Sequence, residues 1–217
     1  EPILEAYTKK TGVEFQTVYA PKGLAARLKA EGERTDADLV LTVDISRIKE
    51  LADTGLLAPL ASDILNKHVP SHLRDANDRW TALSLRARII AVSKDRVGKQ
   101  AITTIEDLAS PKWQGRVCSR KGSHVYNRAV LASLIAHNGK EAAKNWTLGL
   151  VDNLARRPQG NDRAQAKAIY SGQCDVALMN TYYYGKMKFA KDKPEQQKWA
   201  NSIEIAFFNQ DGRGQHV

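Results

Sequence analysis

Strand-like and helix-like runs alternate along the whole of this chain, and that alternation restricts the fold more than any single motif does. Apolar alternation at 13–19 gives way to a helical stripe, Leu24, Ala25 and Leu28, before Gly32. A continuous apolar run at 38–43, of the kind found in strands buried on both faces, precedes a second stripe, Ile48, Leu51 and Ala52, closed by Gly55. Residues 80–92 read as one long extended segment with Arg86 and Arg88 on one face and Leu85, Ala87 and Ile89 on the other. Beyond it the pattern predicts a short helix at Ile105 and Leu108, a strand at 116–119, and helices over 123–136, 140–151 and 162–170. Strands at 174–180 and 203–208 follow. Helix 123–136 has Ser123 as candidate cap and Asn138-Gly139 as its stop, and Thr181 is the candidate cap after strand 174–180. Alternating elements of this kind predict an α/β fold with largely parallel sheets. The opening residues Ile3, Leu4 and Tyr7 share one helical face, so the chain begins on a helix and a preceding strand is expected upstream of Glu1.

Composition narrows the function. With 42% hydrophobic and 26% charged residues in 217, the chain can bury a full core, and no stretch approaches the roughly 20 apolar residues of a membrane span. The formal net charge of +9 invites a nucleic-acid reading, but the lysines and arginines are scattered among acidic residues and no recognition motif accompanies them. A basic surface favouring an anionic ligand or an anionic membrane fits better. No GxSxG elbow, P-loop or HExxH occurs, and the two cysteines lack a catalytic histidine arrangement, so the chain does not read as an enzyme. Cys118 and Cys174 have no CxxC partner; they are either two buried thiols or one disulfide, toward which an even count leans in an exported protein.

The chemistry concentrates at Tyr182, Tyr183 and Tyr184, three consecutive phenols directly after the apolar run of strand 174–180. Packing against neighbouring helices is the competing account of such rings. Yet a phenol, whose pKa is about 10, ionises at neutral pH when a strong Lewis acid helps, and ferric iron is the biological cation that best fits. Other polar residues also lie just past predicted strand ends: Thr42 and Asp44 after 38–43, and Ser119 to Tyr126 after 116–119. In an open α/β sheet such loops share one rim, where helix N-termini present free N–H groups to an anion. Asp44 reads equally as a helix cap and Tyr126 as a packing residue, while Arg86 and Arg88 read equally as partners of surface carboxylates. His124 adjoins Tyr126 but shows no metal spacing with His68, His72, His137 or His216, which leaves it outside the ligand set.

Beyond these readings, the chain resembles the periplasmic ferric-iron-binding proteins of bacterial ABC importers, the FbpA/FutA-type group, over essentially its whole length. The resemblance is carried by Asp38-Leu39-Val40-Leu41-Thr42-Val43-Asp44, Ala82-Leu83-Ser84-Leu85-Arg86-Ala87-Arg88 and Ser110-Pro111-Lys112-Trp113. It continues through Gly122-Ser123-His124-Val125-Tyr126-Asn127, Gln159-Gly160-Asn161-Asp162 and, most specifically, Asn180-Thr181-Tyr182-Tyr183-Tyr184-Gly185. It implies a periplasmic-binding-protein-like α/β fold, two lobes joined by crossing strands with the ligand in the cleft. The lobes would be 1–85 (partial) and 86–205, with 206–217 returning toward the first. Tyr182 and Tyr183 match the family's paired iron ligands, and Tyr126 a third tyrosine used by its tyrosine-rich subgroup. Arg86 matches a position near a synergistic, carbonate-like anion; Ser123, Asn161, Asp162 and Asn180 match positions lining the cleft. Asp44 falls where another subgroup has a glutamate ligand, which Tyr126 makes the weaker assignment. The family's first strand and its continuation beyond Gln215-His216-Val217 are absent, so the chain is expected to be a fragment.

The function so implied is capture of Fe(III) by a periplasmic, monomeric, solute-binding component of an ABC importer, which delivers the ion to an inner-membrane permease. Cationic Arg86 or Arg88, together with the ion, is expected to lower the tyrosine pKa values. The same architecture carrying thiamine, a polyamine or an oxyanion is the alternative.

Overall fold

Val176–Asn180, a run without a single exposed residue, is the strand from which most of the architecture follows. The computed structural model describes residues 2–20, 23–98 and 102–209. Within it the chain divides into two compact units, Glu1–Leu83 and Ser84–Val217.

The second unit is built on four strands: β1 (Arg88–Ser93), β2 (Val117–Cys118), β3 (Val176–Asn180) and β4 (Ile203–Ala206). They lie in the order β2-β3-β1-β4. β2 runs parallel to β3, but β1 is antiparallel to both β3 and β4, with Arg88 opposite Asn180 and Ile90 opposite both Leu178 and Ala206. The sheet is therefore mixed, which corrects the expectation of largely parallel strands. Continuous apolar character reports burial on both faces and says nothing of direction, which the connections decide. Helices link β2 to β3 and β3 to β4, and each of those pairs runs the same way; β1, threaded between β3 and β4, runs against them.

Side chains alternate across the sheet and define two cores. Ile90, Val92, Val176 and Leu178 face Val130 and Leu134 of one helix and Ala143 and Trp146 of the next. Those helices are α5 (Val125–Asn138) and α6 (Lys140–Asp152). Ile89, Ala91, Ala177 and Met179 face the other way, onto Ala166 and Ile169, Met187, and Ala200. These belong respectively to α7 (Asp162–Tyr170), α8 (Thr181–Lys188) and α9 (Pro194–Asn201). Helices thus cover both faces, the α/β arrangement read from the sequence. Between α5 and α6 the backbone turns through Gly139 at φ 82, a conformation that only glycine adopts without strain. The two cysteines, left open between thiols and a bridge, are joined: Cys118 of β2 and Cys174, two residues ahead of β3, form a disulfide with their Cα atoms 5.9 Å apart.

The first unit contains α1 (Pro2–Thr11), α2 (Leu24–Glu31), α3 (Ile45–Ala52) and α4 (Asp63–His68). Among its described residues the strands expected at 13–19 and 38–43 do not form, and the one β pairing is an isolated antiparallel bridge between Arg74 and Thr81. Alternation shows which side chains seek burial, but a strand also needs a neighbouring strand, and among the described residues neither segment is paired with one. Of the extended segment expected over 80–92, Thr81 makes that isolated bridge and a named strand forms only from Arg88 onward. Glu1, His216 and most of the expected return segment 206–217 lie outside the described residues. Among the described residues no helix is long and apolar enough to cross a membrane.

Candidate functional site

The strand β3 passes into α8 with no intervening loop, so the phenols of Tyr182 and Tyr183 emerge in the first turn of a helix. Asn180, not Thr181, occupies the cap position, without a side-chain capping bond. The Thr181 hydroxyl is engaged elsewhere: it accepts from the Ala87 N–H at 3.3 Å, while the Thr181 N–H donates to the Ala87 carbonyl at 3.0 Å. The Tyr182 and Tyr183 rings lie 4.3 Å apart between centroids, tilted by 30°.

Tyr126 reaches the same place from another helix. It is the second residue of α5, whose cap is His124 and not the expected Ser123, an exposed residue of the preceding loop. His124 Nδ1 accepts from the Tyr126 N–H at 3.2 Å, and the two rings meet edge to face at 4.6 Å. The Tyr126 and Tyr182 hydroxyl oxygens are 3.2 Å apart. Two phenol oxygens, each in the first turn of its own helix, thus share one point in space. Helix N-termini favour negative charge there.

Arginines surround the Tyr126 ring. The guanidinium carbons of Arg86, Arg88 and Arg120 stand 5.4, 5.7 and 5.1 Å from its centroid. Arg88 and Arg120 are buried and share the carboxylate of Asp162, which is itself fully buried: Arg88 Nη1 donates to Oδ2 and Arg120 Nη1 to Oδ1, both at 2.8 Å. The Asn180 N–H adds a third bond to Oδ2 at 2.8 Å, and Arg88 also donates to the side-chain oxygens of Asn180 (3.2 Å) and Asn127 (2.9 Å). Asn127 closes the ring by donating to the Ser119 hydroxyl and the Arg120 carbonyl, each at 3.0 Å. Burial draws the Arg88 pKa below its ordinary value against the opposing charge of Asp162; an arginine stays protonated all the same.

The reversed strand β1 explains this convergence. β2 and β3 end at one edge of the sheet, and an antiparallel β1 begins there, so Arg88 enters beside Asn180. A parallel β1 would carry Arg88 to the opposite edge.

Burial, reinforced by hydrogen bonds to Tyr126 and Tyr183 and by mutual repulsion of their anionic forms, pushes the Tyr182 phenol above its ordinary value. Lys186 and Arg163 stand over the Tyr182 and Tyr183 rings at 5.7 and 4.9 Å. Among the described residues no three of His, Cys, Asp and Glu gather as a metal cluster, which leaves the phenols as the concentrated donor set.

Four other expected residues are engaged within the protein. Asp162 and Asn180 are buried in the arginine network. Asn161 caps α7, its side chain accepting from the Ala164 N–H at 3.1 Å. Asp44 belongs to the first unit and caps α3, accepting from the Ser46 N–H at 3.2 Å and hydroxyl at 2.9 Å. Arg120 and Asn127 were not singled out from the sequence. The position of Arg120 just past β2 was a signal, but its ion pair with Asp162, 42 residues away, was not legible.

Comparison with known proteins places this geometry in context. Residues 35–212 match the family described as bacterial extracellular solute-binding protein. The "Iron uptake protein A1" of Synechocystis is 40% identical over 212 residues, 97% of this chain and 59% of that protein. Among solved structures, the "Bordetella ferric binding protein" superposes with TM-score 0.91 at 41% identity, covering 100% of this chain and 68% of that one. The Trichodesmium (IdiA) (FutA) protein, solved "in complex with iron and citrate ligands", gives 0.93 at 39% identity, with 99% and 68% covered. The fold is accordingly α/β of the periplasmic-binding-protein type. The chain spans less than two thirds of the length of the curated relatives it matches.

Proposed function

We propose a carrier of ferric iron, and the premise is family: the chain belongs to the bacterial extracellular solute-binding proteins. That membership places it among binding proteins and not among enzymes. The single observation that carries the reading is the pair of phenol oxygens, Tyr126 and Tyr182, 3.2 Å apart at two helix N-termini. Tyr183 stands beside them. Neutral phenols at that distance are joined by a hydrogen bond; a hard trivalent cation that takes the place of their two protons, which pass to solvent, offsets the repulsion between the phenolates.

Tyr126, Tyr182 and Tyr183 are the ligands in this reading. A small anion such as carbonate or citrate completes the shell next to Arg86. Two guanidiniums against one carboxylate leave local positive charge for it, and Arg88 Nε, Arg120 Nε and Asn180 Nδ2 are buried without a protein acceptor. Asp44, Asn161 and Ser123 have no ligand role in it. The relatives named for iron uptake and ferric binding support the choice of ion. Residence in the periplasm as a monomer, and delivery to an ABC permease, complete the proposal.

The test is ferric titration of the chelator-stripped protein. A phenolate-to-iron charge-transfer band in the visible is expected, lost or strongly shifted in Tyr182→Phe with at least ~10-fold weaker binding. A colourless protein under saturating ferric citrate, taking up thiamine, a polyamine or an oxyanion in its place, overturns the reading.

A further inference from the structure

We infer that Asp162 is the positioning residue of the tyrosine site, a buried carboxylate that fixes both the guanidiniums beside Tyr126 and the strand end that delivers Tyr182. The inference rests on the reading of the phenols as ferric ligands and extends it to a side chain that no solvent-borne ion reaches.

Three elements meet on this one carboxylate. Arg120 arrives just past β2, Arg88 opens β1, and Asn180 closes β3; each donates to Asp162 at 2.8 Å. The residue after Asn180 begins α8, so the backbone bond from Asn180 to Asp162 sets where Tyr182 starts. On the other side, Arg88 holds Asn127, the neighbour of Tyr126 in α5, and Asn127 holds the Arg120 carbonyl. Both helix starts that carry phenols are therefore latched to one carboxylate. Asp162 is also the first residue of α7, where the helix N-terminus supports its charge. Without that charge two buried guanidiniums face each other unbalanced, and the direction that relieves them is toward the Tyr126 ring and solvent. Stability alone does not require the same carboxylate to hold the entry points of both ligand helices.

Asp162→Asn tests this, alone and combined with Tyr126→Phe. In the metal-free protein, ring-13C tyrosine NMR should show the Tyr126 and Tyr182 signals displaced and that of Tyr7, in the first unit, unmoved. On ferric titration the affinity should fall ~10–100-fold, the range for residues that orient metal ligands, with a shifted charge-transfer band. In the Tyr126→Phe background the same change should cost less than in the parent, because the part transmitted through Tyr126 is gone and only the part acting through Asn180 on Tyr182 remains. Asp162→Glu, which keeps the charge but moves it by one methylene, serves if the asparagine variant does not fold, and should displace the same two signals. Additive losses, or a folded variant with undisturbed tyrosine signals and parental affinity, overturn the inference. If the parent binds no ferric ion, the proposed function fails, and the tyrosine signals still decide the role of Asp162.

Discussion

Two apolar runs of similar character meet opposite ends in the two units. In the first unit Leu39, Leu41 and Val43 are 70%, 73% and 61% exposed, and their segment pairs with nothing among the described residues. In the second unit Val176, Ala177, Leu178 and Met179 are at most 2% exposed, flanked by β2 and β1 and covered by helices on both sides. The difference is not in propensity but in what stands on either side. A strand is a cooperative object: its side chains repay burial only when its backbone polar groups are also satisfied. The runs at 38–43 and 176–180 state the same demand, and only the second is met within the described residues.

The widest predicted gap between the units comes from core truncation. Met179→Ala, which empties a fully buried position in β3, should cost about 2–5 kcal/mol in urea unfolding. Leu41→Ala should stay within about 0.5 kcal/mol, and a large loss there would erase the contrast. Helix caps should narrow it. Asp44→Ala in the first unit and Asn161→Ala in the second each remove a side-chain bond to a helix N–H, at about 1 kcal/mol apiece. Equal losses in the two units mean that local helix chemistry is insensitive to how well a sheet forms; circular dichroism melts of both variants give the answer.

The smallest effect is electrostatic and confined to the second unit. The phenol of Tyr182 has a folded-state pKa above its unfolded value of about 10, so the folded protein holds that proton more tightly. Stability from this source is complete below about pH 10 and is lost as pH rises beyond it. Thermal melts of metal-free protein between pH 8 and 11 should show the decline, and Tyr182→Phe should flatten it. A decline unaltered in that variant would assign it to other groups.

Helices were legible nearly to the residue where capping and periodicity act locally. The span 162–170 forms as read, and 140–151 extends by one residue. The helix read at 123–136 begins two residues later because an imidazole, His124, supplies the cap in place of the Ser123 hydroxyl. Tyr126, Tyr182, Tyr183 and Arg86 were legible as candidates, since each lies near a predicted strand end or within a quoted motif, and the structure gathers all four. Arg120 and Asn127 lie in the same stretches, but their roles were not legible, because they depend on partners that sequence spacing does not connect.

From its sequence alone this chain is committed to its helices, to alternating helices and strands in the second unit, to a cluster of phenols where a strand gives way to a helix, and to a basic character without a nucleic-acid motif. These follow from short-range periodicity, capping and composition, which act within a few residues. Tertiary structure decided the rest: that β1 runs backward and so brings Arg88 to the edge where Asn180 ends, that Asp162 is buried between two arginines, and that two hydroxyls 56 residues apart come within 3.2 Å. Strand direction and buried ion pairing depend on contacts between segments distant in the chain, and no local preference encodes them.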